Sequence, residues 1–127
     1  MDAGLDIAAA IMVGLVAVLH VYILVLEMFL WRTPRVRAIF GTTAEVAESS
    51  APLAANQGLY NGFLAAGLVF GLVEGGPDGT VGFPVTVFFT ACVVVAGVYG
   101  AVTANPRILI VQALPGAVAL GLTLLAH

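Results

Sequence analysis

Four long apolar stretches follow one another along the chain, separated by short polar connections. They cover residues 7–31, 52–73, 83–103 and 108–126. Each is close to the roughly 20 apolar residues that an α-helix needs to cross a bilayer. None shows a polar face at helical period, which a soluble bundle would require. The pattern predicts an all-α integral membrane protein, a four-helix bundle of antiparallel spans that forms one domain over residues 1–127.

The composition also indicates a lipid solvent. Of 127 residues, 61% are hydrophobic and 9% are charged, whereas soluble domains carry about 25% charged residues. Four arginines, no lysine and seven acids leave no basic face for a nucleic acid. A single cysteine and two histidines exclude an internal disulfide, and neither a metal site nor a bound cofactor is expected.

All four arginines fall on one side of the predicted membrane. Arg32, Arg35 and Arg37 lie in the connection 32–51, and Arg107 lies between the third and fourth spans. The N-terminal segment and the connection 74–82 carry only acids. The positive-inside rule places the arginines in the cytoplasm. We therefore expect a multi-pass protein of the cell (inner) membrane with both termini outside.

Small residues form two ridges on the second predicted span. Gly58 and Gly62 have GxxxG spacing, and Gly67 and Gly71 repeat it half a helical turn out of phase. Close contact between membrane helices depends on such residues. Packing within the chain and a homo-oligomer explain the two ridges equally well.

Glu27 is the one carboxylate inside a predicted span. It lies about 6 Å from the cytoplasmic edge at ~1.5 Å per residue, and an ionisable residue in a span is by default a functional candidate. His20 precedes it by seven residues on nearly the same face, about 10 Å deeper. We interpret Glu27 and His20 as the candidate catalytic residues.

Other polar residues are expected at the same depth, where they would bind a ligand: Asn56, Gln57, Tyr60 and Asn61 in the second span, Tyr99 in the third, Gln112 in the fourth, and Arg32 and Arg107 in the loops. In one interpretation such groups only join helices, by hydrogen bonds worth ~0.6 kcal/mol each. In the other they line a pocket that opens to the cytoplasm or inner leaflet. The pocket is favoured because so many polar groups share one level with a carboxylate.

Several segments resemble a family of short, four-span bacterial membrane proteins catalogued only as a domain of unknown function. The segments are LHVY at 19–22, LEMFLW at 26–31, ANQGLYNGFLAAGL at 55–68, GVYG at 97–100 and VQALPG at 111–116. The resemblance covers nearly the whole chain. It implies four helices and no established activity.

A weaker resemblance involves residues 40–68, an acid-containing loop followed by Ala-x-Asn-Gln-x-x-x-Asn and a glycine-rich apolar run. This layout is similar to the second helix of the superfamily of membrane-associated proteins in eicosanoid and glutathione metabolism. It implies outer termini, a trimeric assembly and glutathione held near the cytoplasmic face. A dimer is the alternative to the trimer. Tyr60 replaces the superfamily's usual acid and its helix-two arginine is absent, so the resemblance implies fold more than activity.

Three functions remain open from the sequence. The first is a membrane-embedded small-molecule-binding protein or enzyme for a polar or anionic ligand, glutathione-like or lipid-derived, with Glu27 as general base or cation partner. The second is a small proton-coupled transporter that uses Glu27, although the carboxylate of small multidrug exporters lies nearer the middle of the bilayer. The third is a non-catalytic accessory membrane subunit.

The arginine bias predicts one topology. A reporter fused after residue 127 should read as external, and a reporter inserted near Thr43 should read as cytoplasmic. Paired alkaline-phosphatase and fluorescent-protein fusions measure this. Equal signals from both sides at Thr43 would indicate dual insertion and would favour the transporter.

Overall fold

A computed structural model describes residues 2–127, and most of this part of the chain is helical. The five helices are α1 (Ala3–Phe29), α2 (Pro34–Phe40), α3 (Ala44–Val73), α4 (Gly82–Thr103) and α5 (Leu114–Ala126). A short 3-10 turn, Gly76–Asp78, precedes α4, and a π-helical segment, Leu109–Ala113, leads into α5. The all-α prediction is confirmed.

Three of these elements are long and apolar enough to cross a membrane: α1, α4 and the stretch Leu109–Ala126. They indicate a membrane protein. Helix α3 is 30 residues long but is not among the three, because Asn56, Gln57 and Asn61 lower the mean hydropathy of the stretch that would cross the membrane. A span over residues 52–73 therefore stays a prediction.

The connection 32–51 is more helical than its polar sequence suggests. Thr33 caps α2 by accepting a hydrogen bond from the Val36 backbone N–H, and Gly41 ends that helix at a φ of 71°. Thr43 accepts from the Val46 N–H at 3.1 Å, as an N-cap residue does. Helix α3 consequently begins at Ala44, well before the predicted start of the second span.

The described chain forms two compact units. Within the described residues, the first unit comprises 2–18 with 64–127, and the second unit comprises 19–63. The core of the first unit combines buried residues from four helices: Val13, Val16 and Ala17 of α1, Leu68 of α3, Val93 of α4 and Ala119 of α5. The C-terminal half of α3 thus packs with the three apolar helices.

Large apolar side chains also cover the outside of the helices. On α1, Ile7, Ile11, Leu15 and Val18 follow each other at helical spacing, and each is more than half exposed. The opposite face of the same helix buries Val13 among others. A helix that is apolar on all sides needs an apolar solvent on its outer face, which agrees with a membrane protein.

The first glycine ridge packs on α1 within the second unit. A Cβ atom at Gly58 would lie 2.6 Å from Met28 Cγ and 3.2 Å from the Leu24 carbonyl oxygen. A Cβ atom at Gly62 would lie 2.7 Å from Leu24 Cδ1. The two helices therefore approach each other as closely as glycine allows.

The second ridge packs on α4 within the first unit, where a Cβ atom at Gly67 would overlap the Phe89 ring and one at Gly71 would overlap Thr86. Both ridges are thus covered by the chain itself. The homo-oligomer stays a prediction, and the ridges no longer argue for it.

Three chain segments meet at one end of the first unit. The His127 ring stacks on Phe83 with their centroids 3.6 Å apart, and its Nδ1 atom lies 2.9 Å from the Pro77 carbonyl oxygen. Asp6, in the first turn of α1, lies beside Asp78. The beginning of α1, the connection between α3 and α4, and the end of α5 therefore share this end.

A close glycine contact between α4 and the π-helical segment predicts a stability effect. A Cβ atom at Gly97 of α4 would lie 2.5 Å from the Ala113 backbone nitrogen, whereas one at Gly121 of α5 would meet nothing within 4 Å. Because backbone cannot move aside cheaply, Gly97→Ala should destabilise the protein by about 1–3 kcal/mol. Gly121→Ala, the matched control, should leave the thermal midpoint in detergent unchanged or higher. Equal midpoints for the two variants would contradict this packing.

Candidate functional site

One hydrogen bond links α1 to α3 in the second unit. Asn61 Nδ2 donates to Glu27 Oε1 at 2.7 Å, and Glu27 is only 6% exposed. Among the described residues, Arg32 forms an ion pair, but its partner is Glu48 and not Glu27. Glu27 is therefore a buried carboxylate that an amide holds in place and no arginine neutralises.

The local sequence explains why this bond can form. Gly58 precedes Asn61 by three residues, so both lie on one side of α3. A Cβ atom at Gly58 would lie 3.2 Å from Glu27 Cβ, so the missing side chain lets the two backbones approach. At that separation the short Asn61 side chain reaches the carboxylate.

A cavity of about 310 Å³ opens beside Glu27. The end of α1, the turn after it and the first half of α3 supply its walls: Glu27, Met28, Phe29, Trp31, Arg32, Thr33, Ala51, Pro52 and Ala55. The lining thus combines one carboxylate, one guanidinium group, two aromatic rings and several apolar side chains. Such a mixture suits a ligand that has both polar and apolar parts.

Side-chain contacts hold the two walls together. Trp31 Nε1 donates to Ser50 Oγ at 3.1 Å, and that hydroxyl donates to the Val46 carbonyl oxygen at 2.6 Å. Arg32 Nε lies 2.7 Å from Glu48 Oε2, but both side chains are more than 60% exposed. Such a surface pair contributes on the order of 0–1 kcal/mol.

The other predicted ligand-binding residues of α3 are exposed and do not line the cavity. Asn56 is exposed and donates to the Pro52 carbonyl oxygen of its own helix at 3.0 Å. Gln57 is exposed, and Tyr60 is 58% exposed and packs on Phe63. Gly58 and Asn61 contact α1, whereas the three polar neighbours are exposed. Their binding roles stay predictions.

His20 lies on the buried side of α1 with Glu27, as the seven-residue spacing predicts, and it is fully buried. It is not among the residues that line the cavity. Its catalytic role stays a prediction.

The remaining candidates belong to the first unit. Tyr99 is 70% exposed. Arg107 is exposed, and its backbone N–H donates to Asn105 Oδ1 at 2.9 Å. Gln112 is partly buried within the π-helical segment. That these residues share a layer with Glu27 stays a prediction.

Most residues of the cavity wall were not predicted from the sequence; Glu27 and Arg32 were. Trp31 was not among the predicted site residues, although it follows Glu27 by only four residues. No such signal marks Ala51, Pro52 and Ala55, because small apolar residues are common throughout the chain. Across residues 2–127, no cluster of His, Cys, Asp and Glu could hold a metal ion.

Comparison with known proteins identifies a family and no activity. No curated protein and no solved structure matches the chain. The weaker resemblance to proteins of eicosanoid and glutathione metabolism finds no support in these comparisons. The sequence model of one family, by contrast, matches residues 14–124, nearly the whole chain. The chain therefore belongs to the family described as "Protein of unknown function (DUF1304)".

Proposed function

We propose that this protein is a membrane-embedded small-molecule-binding protein or enzyme, and that the cavity beside Glu27 is its binding pocket. The observation that carries the proposal is the buried carboxylate itself, which lines the cavity and has no arginine partner in the described chain. A carboxylate removed from water is costly. If residue 27 served only to join α1 to α3, an apolar side chain would make the contact without this cost.

Glu27, Asn61 and Arg32 have distinct roles in this proposal. Glu27 acts as general base or as the partner of a cation. Asn61 positions the carboxylate through its 2.7 Å hydrogen bond. Arg32, at the cavity wall and paired with Glu48 through Nε, attracts the anionic part of a polar or lipid-derived ligand.

The proposed topology is a four-helix bundle in which α3 crosses the membrane together with α1, α4 and α5. Its support is the shared core, where Leu68 of α3 packs with residues of α1, α4 and α5, and the contact of Gly71 with Thr86 of α4. Arg32 and Arg35 follow the end of α1, so the positive-inside rule directs the pocket to the cytoplasm and both termini outward. A homo-oligomer remains part of the proposal.

The transporter alternative has less support. Glu27 lies two residues before the last residue of α1, Phe29, and so near the end of a candidate span rather than at its middle. That depth suits a bound head group better than a carboxylate that must face both sides of the membrane in turn.

The proposal predicts that the charge of Glu27 is needed for binding and not for folding. Glu27→Gln keeps the side-chain shape and an acceptor oxygen for Asn61 while it removes the charge. A hydrogen bond to a charged group contributes about 1.5–3 kcal/mol, so retention of the copurified ligand should fall at least tenfold. Native mass spectrometry in mild detergent measures retention, and the thermal midpoint reports folding.

Glu45→Gln is the matched control for this test. Glu45 is exposed in the first turn of α3 and does not line the cavity, so this variant should retain ligand like the wild type. A folded Glu27→Gln variant that retains as much ligand as the control would refute the pocket.

A further inference from the structure

We infer that the pocket takes a zwitterionic group, a primary ammonium next to a phosphate or carboxylate, with the ammonium at Glu27 and the anion at Arg32. This inference rests on the proposed pocket and adds the chemical class of its ligand. It differs from a purely anionic ligand, which the arginines alone would suggest.

The first step concerns the missing counter-charge of Glu27. A carboxylate has about four acceptor positions, and within residues 2–127 its hydrogen-bond donor is a single neutral amide, that of Asn61. Because the group is buried and also lines the cavity, unused acceptor positions are available to a ligand. An ammonium group supplies both the hydrogen-bond donors and the positive charge, whereas an anion alone would be repelled.

The second step concerns the aromatic lining. Phe29 and Trp31 line the same cavity as the carboxylate. Aromatic faces attract cations that lie within about 6 Å of the ring. A cavity with a carboxylate and two aromatic rings therefore favours a cationic group over a neutral one of equal size.

The third step concerns the guanidinium group of Arg32. Its ion pair with Glu48 involves Nε, and a guanidinium carries five N–H donors in all. The donors that remain can bind a phosphate or carboxylate in a bidentate manner. The cavity thus has one group for each charge of a zwitterion.

The fourth step concerns size and depth. The volume of about 310 Å³ is at the lower end of the range for small-molecule sites, about 300–1,000 Å³. Met28, Pro52 and Ala55 add apolar wall, and the cavity lies where a candidate membrane span ends. An aminophospholipid head group and a free amino-phosphate share the chemistry that this cavity would recognise.

Trp31 makes the inference measurable, because it is the single tryptophan of the sequence and lines the cavity. The full-length protein in detergent would be titrated with short-chain phosphatidylethanolamine, short-chain phosphatidylglycerol and free phosphoethanolamine while tryptophan fluorescence is followed. We expect saturable binding of an ammonium-containing probe, at least tenfold tighter than that of phosphatidylglycerol. Binding of phosphatidylethanolamine alone assigns the site to a lipid, and comparable binding of phosphoethanolamine assigns it to a soluble molecule.

The variants test the charge of Glu27. Glu27→Gln should weaken binding of the ammonium-containing probes at least tenfold without weakening that of phosphatidylglycerol. Glu45→Gln should bind every probe as the wild type does. Should Glu27→Gln fail to fold, the preference of the wild-type protein among the three probes decides the question.

Two results would overturn the inference: phosphatidylglycerol binding as tightly as the ammonium-containing probes, or a folded Glu27→Gln variant that binds phosphatidylethanolamine like the wild type. The proposed function fails separately. If Trp31 responds to none of the probes and native mass spectrometry finds no retained molecule, the pocket itself is refuted. If a retained molecule depends on Glu27 but lacks an ammonium group, only the zwitterion is refuted.

Discussion

The hydrogen bond from Asn61 to Glu27 organises the second unit, because within residues 2–127 this buried carboxylate has an amide and no arginine as its partner. The bond can form only where α1 and α3 approach closely, and Gly58 permits that approach. The cavity then has its walls on the same two helices and the turn between them. The contacts of Trp31 with Ser50 and of Arg32 with Glu48 join the same walls. One polar contact and one missing side chain thus position the candidate site.

The first unit depends on different physical chemistry. Its core is built of apolar residues from four helices, and small residues set the separation of those helices, as at Gly71 against Thr86 and Gly97 against Ala113. Lipid provides no hydrophobic drive between helices, so close packing has to supply the attraction. Helices α1 and α3 contribute to both units. In each of these helices, the part in the first unit must pack closely against other helices, and the part in the second unit must hold a polar site.

The main features of the candidate site were predictable because they depend on residue type. A lone carboxylate in an apolar run marks Glu27, and Asn61 was among the amides expected to approach it. The choice among Asn56, Gln57 and Asn61 was not predictable, since each is a polar residue at a similar depth. Which amide reaches Glu27 depends on the side of α3 that meets α1. The contact of Gly58 with α1 defines that side. The cavity wall at Ala51 and Pro52 carried no signal for the same reason.

By itself the sequence determined the all-α class and the apolar character that indicates a membrane protein, because hydrophobicity and its period are local properties of the chain. It also determined which carboxylate would be difficult to bury. Only the tertiary structure decided that both glycine ridges pack against the chain's own helices and that a cavity lies beside Glu27. These outcomes depend on which helix faces meet and how closely. That is a property of several segments packed together, which no single stretch of sequence contains.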